Sequence, residues 1–304
     1  MVTSDQNNFK AIAICSSQKN KQILEIARQC CEVLTSLKIK TYLHHNLSGI
    51  QGESNSKVVS DSTLKKANLM IVIGGDGTML GFARKFSDSG IPILGINLGN
   101  LGFLADIAPE NITSTMTDII GGKYIKEQRS FLMAKINQDK KANIALNEIV
   151  IHSGALAQMI EYELFIDNSF VYRQRADGII INSPTGSTAY SLSGGGPIVH
   201  PAVKAITLLP MFPHSLSSSP LVVSDESIIE IVMTGTKNKA TLSMDSHHSL
   251  ILKKGDTVKI QKTKSVLTLI HPQEHNFYSA CRNKLGWSKS ISKKRKSKNQ
   301  HCST

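Results

Sequence analysis

Apolar residues come in short uninterrupted clusters along the first hundred positions and alternate with polar residues further on. The isoleucine-rich run 9–16 is followed by a polar break and then by Ile23, Ile26, Ala27, Cys30, Val33, Leu34 and Leu37 at helical spacing, which predicts a strand and then an amphipathic helix. The pattern repeats with a short strand over 40–43, a polar loop and a fully apolar run over 69–73 that ends in glycines. A helical stretch over 79–86 and a further run over 91–96 follow. Strands that are apolar throughout and alternate with helices read as a parallel sheet covered on both faces.

After a helix expected over 110–120 and the Gly121-Gly122 break, the character changes. Segments 132–136, 148–152, 160–166 and 170–173 alternate in polarity, and the turn residues Asp167-Asn168-Ser169 separate two of them as a hairpin would. More strands are expected over 179–181, 228–233, 240–244, 257–261 and 266–271, and a short closing helix over 277–285. The expected organisation is an open, mostly parallel α/β domain over 1–121 and a mostly β, sandwich-like domain over 122–272. A closing segment over 273–287 and a basic tail over 288–304 complete it. No repeat of 20–50 residues interrupts this plan.

Composition narrows the class. The 304 residues are 40% apolar and 19% charged, enough for two cores of ordinary domain size. Lys and Arg number 35 against 23 acids, a net +12, which by itself suggests a polyanionic partner. The tail, however, holds Lys289, Lys293, Lys294, Arg295, Lys296 and Lys298 and no acid. Half of the excess therefore lies in a segment that reads as a solvated extension, and a nucleic-acid partner is not expected. The five cysteines, Cys15, Cys30, Cys31, Cys281 and Cys302, show no CxxC spacing, which suits a reducing cytoplasm. No apolar run approaches the roughly 20 residues of a membrane-spanning helix, and no leader precedes the first strand, so a cytoplasmic location is expected.

The candidate chemistry begins at Gly74-Gly75-Asp76-Gly77-Thr78, between the apolar run 69–73 and the helix that follows. A glycine turn at the carboxyl end of a parallel strand, opening a helix, presents backbone N–H groups to an anion such as phosphate. Asp76 stands out, because a carboxylate there repels phosphate unless it holds a cation or takes a proton from an attacking hydroxyl. As structure alone it would cap the helix. No GxxxxGK[ST] occurs, which removes Walker-type binding. The loop leaves the acceptor open, since phosphofructokinases, diacylglycerol-type lipid kinases and NAD kinases all carry similar loops.

Further motifs narrow the choice: ADGIIINSPTGSTAYSLSGGGPIVHP over 176–201, Asn147-Glu148, GINLGNLGFL over 95–104, LLPMFPH over 208–214 and KLGWS over 284–288. With these in order, residues 9–290 resemble the bacterial NAD kinases, and the proteobacterial ones in particular. The resemblance implies an α/β domain, a β-sandwich domain and an active site in the cleft between them. It implies transfer of the γ-phosphoryl group of ATP, or of polyphosphate, to the 2′-hydroxyl of the adenosine ribose of NAD, giving NADP. A divalent metal cation, usually Mg2+, and a homo-oligomer, dimer or tetramer, are implied as well.

By the same resemblance Asp76 is the catalytic base, and Gly74, Gly75, Gly77 and Thr78 face the donor phosphates. The implied NAD contacts are Asp76, Gly77, Asn147, Glu148, Arg175, Asp177 and the segment Thr188, Ala189, Tyr190, Ser191, Leu192, Ser193. Gln158, where relatives often carry His, and His247, where they often carry Gln, complete the set, and either can donate or accept a hydrogen bond. No metal ligand is assigned. A lipid kinase would instead need a greasy pocket, and a nucleic-acid binder would depend on the tail and on salt.

Overall fold

The structure is a computed structural model, and it describes residues 9–52, 56–99, 102–139, 142–154, 158–215, 218–235 and 240–287. The basic tail 288–304, with Cys302, lies outside the described residues.

The N-terminal half begins with β1 (Ala11–Cys15), α1 (Lys21–Ser36), β2 (Lys40–Leu43), β3 (Ser56–Val58) and the single turn α2 (Asp61–Leu64). It continues with β4 (Leu69–Ile73), α3 (Asp76–Lys85), β5 (Ile93–Ile96) and α4 (Ile112–Ile120). Asn20 caps α1 by accepting the Ile23 N–H at 2.9 Å, and Ile23, Ile26, Ala27, Cys30, Val33 and Leu34 of that helix are buried, the stripe expected from the sequence. The five strands are parallel in the order β3-β2-β1-β4-β5. Alternate residues of β1 enter different cores, Ile12 and Ile14 on one face and Ala13 and Cys15 on the other, as a doubly covered sheet requires. Strand order reverses between β1 and β4, and open α/β sheets leave a ligand crevice beyond the carboxyl ends of the strands at such a point.

The remainder comprises β6 (Tyr124–Ile136), β7 (Asn143–Ala145), β8 (Glu148–His152), β9 (Ile160–Ile166), β10 (Ser169–Ala176), β11 (Gly178–Asn182), the turn α5 (Tyr190–Ser193), β12 (Ala205–Met211), β13 (Leu221–Ser224), β14 (Ile229–Met233), β15 (Ala240–Met244), β16 (His247–Leu252), β17 (Thr257–Pro272) and α6 (Phe277–Leu285). One sheet of this half has the order β13-β12-β11-β8-β15-β16. It packs face to face with β6, β9, β14 and β17 over a core that includes Ile149, Ile151, Ile179, Ile181, Tyr162, Leu164, Ile231 and Val258.

The hairpin between β9 and β10 turns on Asp167 and Asn168 alone, both left-handed at φ 50° and 63°, the geometry of a two-residue primed turn. Asp245 and Ser246, at φ 46° and 58°, make the same kind of turn between β15 and β16.

The two domains are less separate than the expected boundary at 121/122 implies. β6 and β17 pair antiparallel over most of their length, and Leu269 of β17 also pairs parallel with Ile93 of β5. The sheet thus runs without a break from the parallel strands into the sandwich. The expected strands 257–261 and 266–271 are the two ends of β17, separated by a bulge between Lys262 and Val266. α6 then returns the chain to the N-terminal half.

Candidate active site

The strand β4 is buried at all five positions, so its carboxyl end is fixed. From it Gly74 and Gly75 lead into α3, which begins at Asp76 itself. Gly74 has φ +151°, and a Cβ there would lie 2.6 Å from Thr78 Oγ1, so only glycine lets Thr78 fold back over the turn. Thr78 Oγ1 is bonded across the strand-order reversal to Ser17 Oγ at 3.0 Å. A Cβ on Gly75 or Gly77 would meet nothing within 4 Å, so the loop backbone faces open space there.

Asp76 does not cap the helix, since the N-cap position is Gly75. Its carboxylate points across the crevice to the segment after β5. Oδ2 accepts the Phe103 N–H at 3.0 Å, and Oδ1 accepts the N–H groups of Leu104 at 3.0 Å and Ala105 at 3.4 Å. Gly102 makes the approach possible, because a Cβ there would stand 2.1 Å from Oδ1. A fourth donor arrives from far along the chain: Lys284 Nζ, in the last turn of α6, lies 3.0 Å from Oδ2. Its ammonium also lies 4.9 Å from the centre of the Phe103 ring. Phe277 at the start of α6 rests between Phe103 and His200, with ring centroids 6.4 and 5.0 Å away.

The second wall is assembled around Asp245. Its side chain is buried at the β15–β16 turn and accepts the backbone N–H groups of Leu146 at 2.9 Å, Asn147 at 2.8 Å and Glu148 at 3.1 Å. Arg84 of α3 completes the shell, with Nη1 2.6 Å from Asp245 Oδ2. The Asn147-Glu148 pair is therefore clamped to the helix that begins at Asp76. Ser183, just after β11, donates its N–H to the Asn147 carbonyl at 2.9 Å and its hydroxyl to that of Leu146 at 2.5 Å. This brings the chain of Thr188 to Ser193 alongside.

Glu148 is 3% exposed, and its Oε2 has no hydrogen-bond partner. Burial, with the Asp245 carboxylate adding to it, pushes the Glu148 carboxyl up to about 8. At neutral pH it is thus an acid that can donate as well as accept.

Within α5 and its flanks, Tyr190 is 44% exposed and offers a ring face. Ser193 is exposed, and Thr188, Ala189 and Leu192 are half-buried. Ser191 is buried, and its hydroxyl lies where a Cβ on Gly196 would come within 2.3 Å, so its side chain faces inward. His247 is exposed beside the Asp245 turn.

Arg175, Asp177 and Gln158 stand elsewhere. Arg175 lies on the edge strand β10, exposed and paired with Glu161 Oε1 at 3.2 Å. Asp177 lies at the opposite end of β11 from Asn182, about 16 Å away for five residues of strand. Gln158 is exposed just before β9. The sequence reading missed Asp245, Arg84, Gly102 as a necessity, and Lys284 as a partner of Asp76. For Asp245 the available signal was a turn dipeptide between two β runs; for the Lys284 pairing there was none.

A glycine loop at the strand-order reversal, a carboxylate at its mouth and a polar Asn147-Glu148 pair tied through Asp245 to the same helix are the elements of a nucleotide phosphotransferase site. Comparison with known proteins makes this specific. The family model described as the ATP-NAD kinase N-terminal domain matches residues 6–124, and that of the ATP-NAD kinase C-terminal domain matches 146–272. An NAD kinase of Teredinibacter turnerae is 47% identical over 84% of this chain and 88% of its own length, and one of Photobacterium profundum 43% identical over 93% and 98%. Among solved structures, an NAD kinase from Archaeoglobus fulgidus in complex with ATP is similar with TM-score 0.72 and 27% identity, over 90% of this chain and 98% of that one. A yeast NADH kinase complexed with NADH has the same fold, with TM-score 0.86 at 24% identity over 95% and 91%. The chain belongs to the ATP-NAD kinase family, and its enzyme class is NAD kinase.

Proposed function

We propose that the chain transfers the γ-phosphoryl group of ATP to the 2′-hydroxyl of the adenosine ribose of NAD, with Asp76 as the general base. The observation that carries this reading is the placement of Asp76: a carboxylate at the mouth of the glycine loop, fixed by three backbone N–H groups rather than spent on a helix cap. Of its four donors among the described residues only Lys284 is a side chain, so Lys284 is the one a substrate hydroxyl can displace from Oδ2. A ribose hydroxyl is a poor nucleophile at neutral pH, and a positioned base contributes roughly 10²- to 10⁴-fold.

The donor phosphates lie over Gly74, Gly75, Gly77 and Thr78, where backbone N–H groups and the α3 N-terminus meet their charge. Asn147 and the protonated Glu148 take the ribose and amide edges of NAD, Tyr190 stacks on a ring, and Thr188, Ala189, Leu192, Ser193 and the backbone of Ser191 line the approach. His247 bonds from the β15–β16 turn. A divalent cation would arrive on the donor phosphates, which supply most of its ligands together with water, since both Asp76 oxygens are already taken by hydrogen-bond donors. Such a cation, when bound, offsets the charge of the transferring phosphoryl group.

Gln158, Arg175 and Asp177 serve the dinucleotide in a homo-oligomer, where a neighbouring copy brings them to the cleft; light scattering and turnover measured across protein concentration test this. Cytoplasmic action is part of the same reading, in line with a cysteine set that has no CxxC spacing; among the described residues no helix is long and apolar enough to cross a membrane.

The test is formation of NADP by the pure protein from NAD, ATP and Mg2+, beside the Asp76→Asn variant. The variant is expected to bind NAD and to lose two to four decades of turnover, about 3–5 kcal/mol in the barrier. Near-normal turnover would remove Asp76 from the role of base.

A further inference from the structure

Behind the segment that holds Asp76 lies a cluster the phosphoryl transfer does not use. Asp106 follows Ala105 directly, His271 lies at the end of β17, and His275 lies two residues before α6. Nδ1 of His271 is 2.8 Å, and Nδ1 of His275 2.7 Å, from the same oxygen, Asp106 Oδ2. The two rings stack with centroids 3.8 Å apart and planes 19° from parallel. The His271 side chain is 1% exposed, His275 11% and Asp106 12%. Asp106 Oδ1 is buried without a partner.

His271 cannot satisfy its surroundings as a neutral imidazole. Its Nδ1 bonds Asp106, and its Nε2, 3.3 Å from Glu127 Oε2, is buried without a hydrogen-bond partner, while a neutral ring has one N–H and one lone pair. One lone pair therefore looks at a carboxylate unless a cation sits between them. Glu127 is itself held by Arg129 Nη2 at 2.8 Å. With a metal at Nδ1, Nε2 would carry the N–H toward that anchored carboxylate, the usual construction around a metal-binding imidazole.

We infer that Asp106, His271 and His275 form a binding site for a divalent transition metal of the zinc class, separate from any cation that travels with the nucleotide. Two imidazoles and a carboxylate suit zinc and its neighbours rather than magnesium, which prefers oxygen and octahedral geometry. The three ligand atoms lie within 4.8 Å of one another. Metal bonds of about 2.0–2.2 Å in tetrahedral geometry hold ligand atoms roughly 3.3 Å apart, so loading replaces the N–H protons and spreads the cluster by about half an ångström. A fourth position is left for water or for the unpartnered Asp106 Oδ1. The site would knot the loop that grips Asp76 to the start of the helix that carries Lys284.

The experiment is titration of the tag-free protein with Zn2+ and with Co2+, by calorimetry and by the visible d–d absorption of Co2+, in millimolar Mg2+. One equivalent is expected to bind, releasing protons, with a tetrahedral-type Co2+ spectrum and a raised Tm. His275→Phe, which keeps a ring in the stack, is expected to lower affinity at least 100-fold and to abolish the Tm rise, while the exposed His214→Gln leaves both unchanged. Absence of a stoichiometric site, or binding that His275→Phe and His271→Gln leave intact, overturns the assignment and leaves a proton as the cation of the cluster. Because metal binding is read directly, the result is independent of whether Asp76 is the base.

Discussion

The Gly102→Ala substitution isolates the placement of Asp76 from its chemistry. The backbone at Gly102 is outside the left-handed region, so alanine brings no conformational strain of its own. Its methyl carbon, however, would lie 2.1 Å from Asp76 Oδ1, 2.9 Å from Cγ and 3.1 Å from the Ala105 nitrogen. Contacts of that kind need 3.2 Å or so, and the Ala105 nitrogen is backbone, so the carboxylate must retreat by about 1 Å. That breaks the Oδ1 bonds to Leu104 and Ala105. A misplacement of 1 Å at a reacting group costs about 10²-fold, roughly 2.7 kcal/mol in the barrier. Asp76 is 28% exposed in its side chain, so water replaces the lost donors and the loss of stability should stay near 1 kcal/mol.

The assay is the initial rate of NADP formation, coupled to an NADP-specific dehydrogenase, with thermal melts of the same samples. The expected result is a kcat lowered about 100-fold at little change in KM for NAD. The Gly102→Ala/Asp76→Asn pair should be scarcely slower than Asp76→Asn alone, because the two changes act on one group. A folded Gly102→Ala enzyme with kcat within threefold of the parent, or full multiplication of the two effects, would refute the reasoning.

Three other outcomes follow from the same geometry. Lys284→Met removes the donor that the substrate hydroxyl must displace from Asp76; the exposed ion pair is worth at most about 1 kcal/mol of stability, so Tm should barely move while kcat holds or rises, and a kcat lowered tenfold or more would show that Lys284 does more than occupy Oδ2. Asp245→Ala strips a buried carboxylate from Arg84 and three backbone N–H groups, and denaturant unfolding should show a loss of about 3–5 kcal/mol. Glu148 carries a carboxyl raised from 4.5 to about 8 in the folded protein, so unfolding releases its proton in that window. Its contribution to stability is full below pH 4.5 and is lost as pH rises to 8, at up to about 1.4 kcal/mol per pH unit. Glu148→Gln should flatten that slope; an unchanged slope would show that the carboxyl is not raised.

Much of this was legible along the chain because it depends on neighbours in sequence. Burial on both faces makes a strand apolar throughout, so β4 was readable to its last residue, helical spacing marked α1, and the closing helix α6 spans the residues expected for it. The glycine loop could be read as a candidate phosphate cradle because the turn, its glycines and the helix it opens are contiguous. The family motifs fixed the class of chemistry for the same reason.

What the tertiary structure decided is what lies opposite what. That Asp76 is gripped by residues 103–105, that Asp245 and Arg84 lock Asn147-Glu148 to α3, and that Lys284 returns from 208 positions away are facts of sheet order and chain return. So is the fusion of two expected strands into β17, which ties both domains into one sheet. The separation of Arg175, Asp177 and Gln158 from the Asp76 wall, and the meeting of Asp106 with two histidines, belong here as well. The sequence by itself determined the local elements and the chemistry of the loop, since backbone geometry and burial period act over a few residues. Only the fold set the charges and hydrogen bonds around that loop, since those act through space between segments whose separation along the chain carries no trace of the contact.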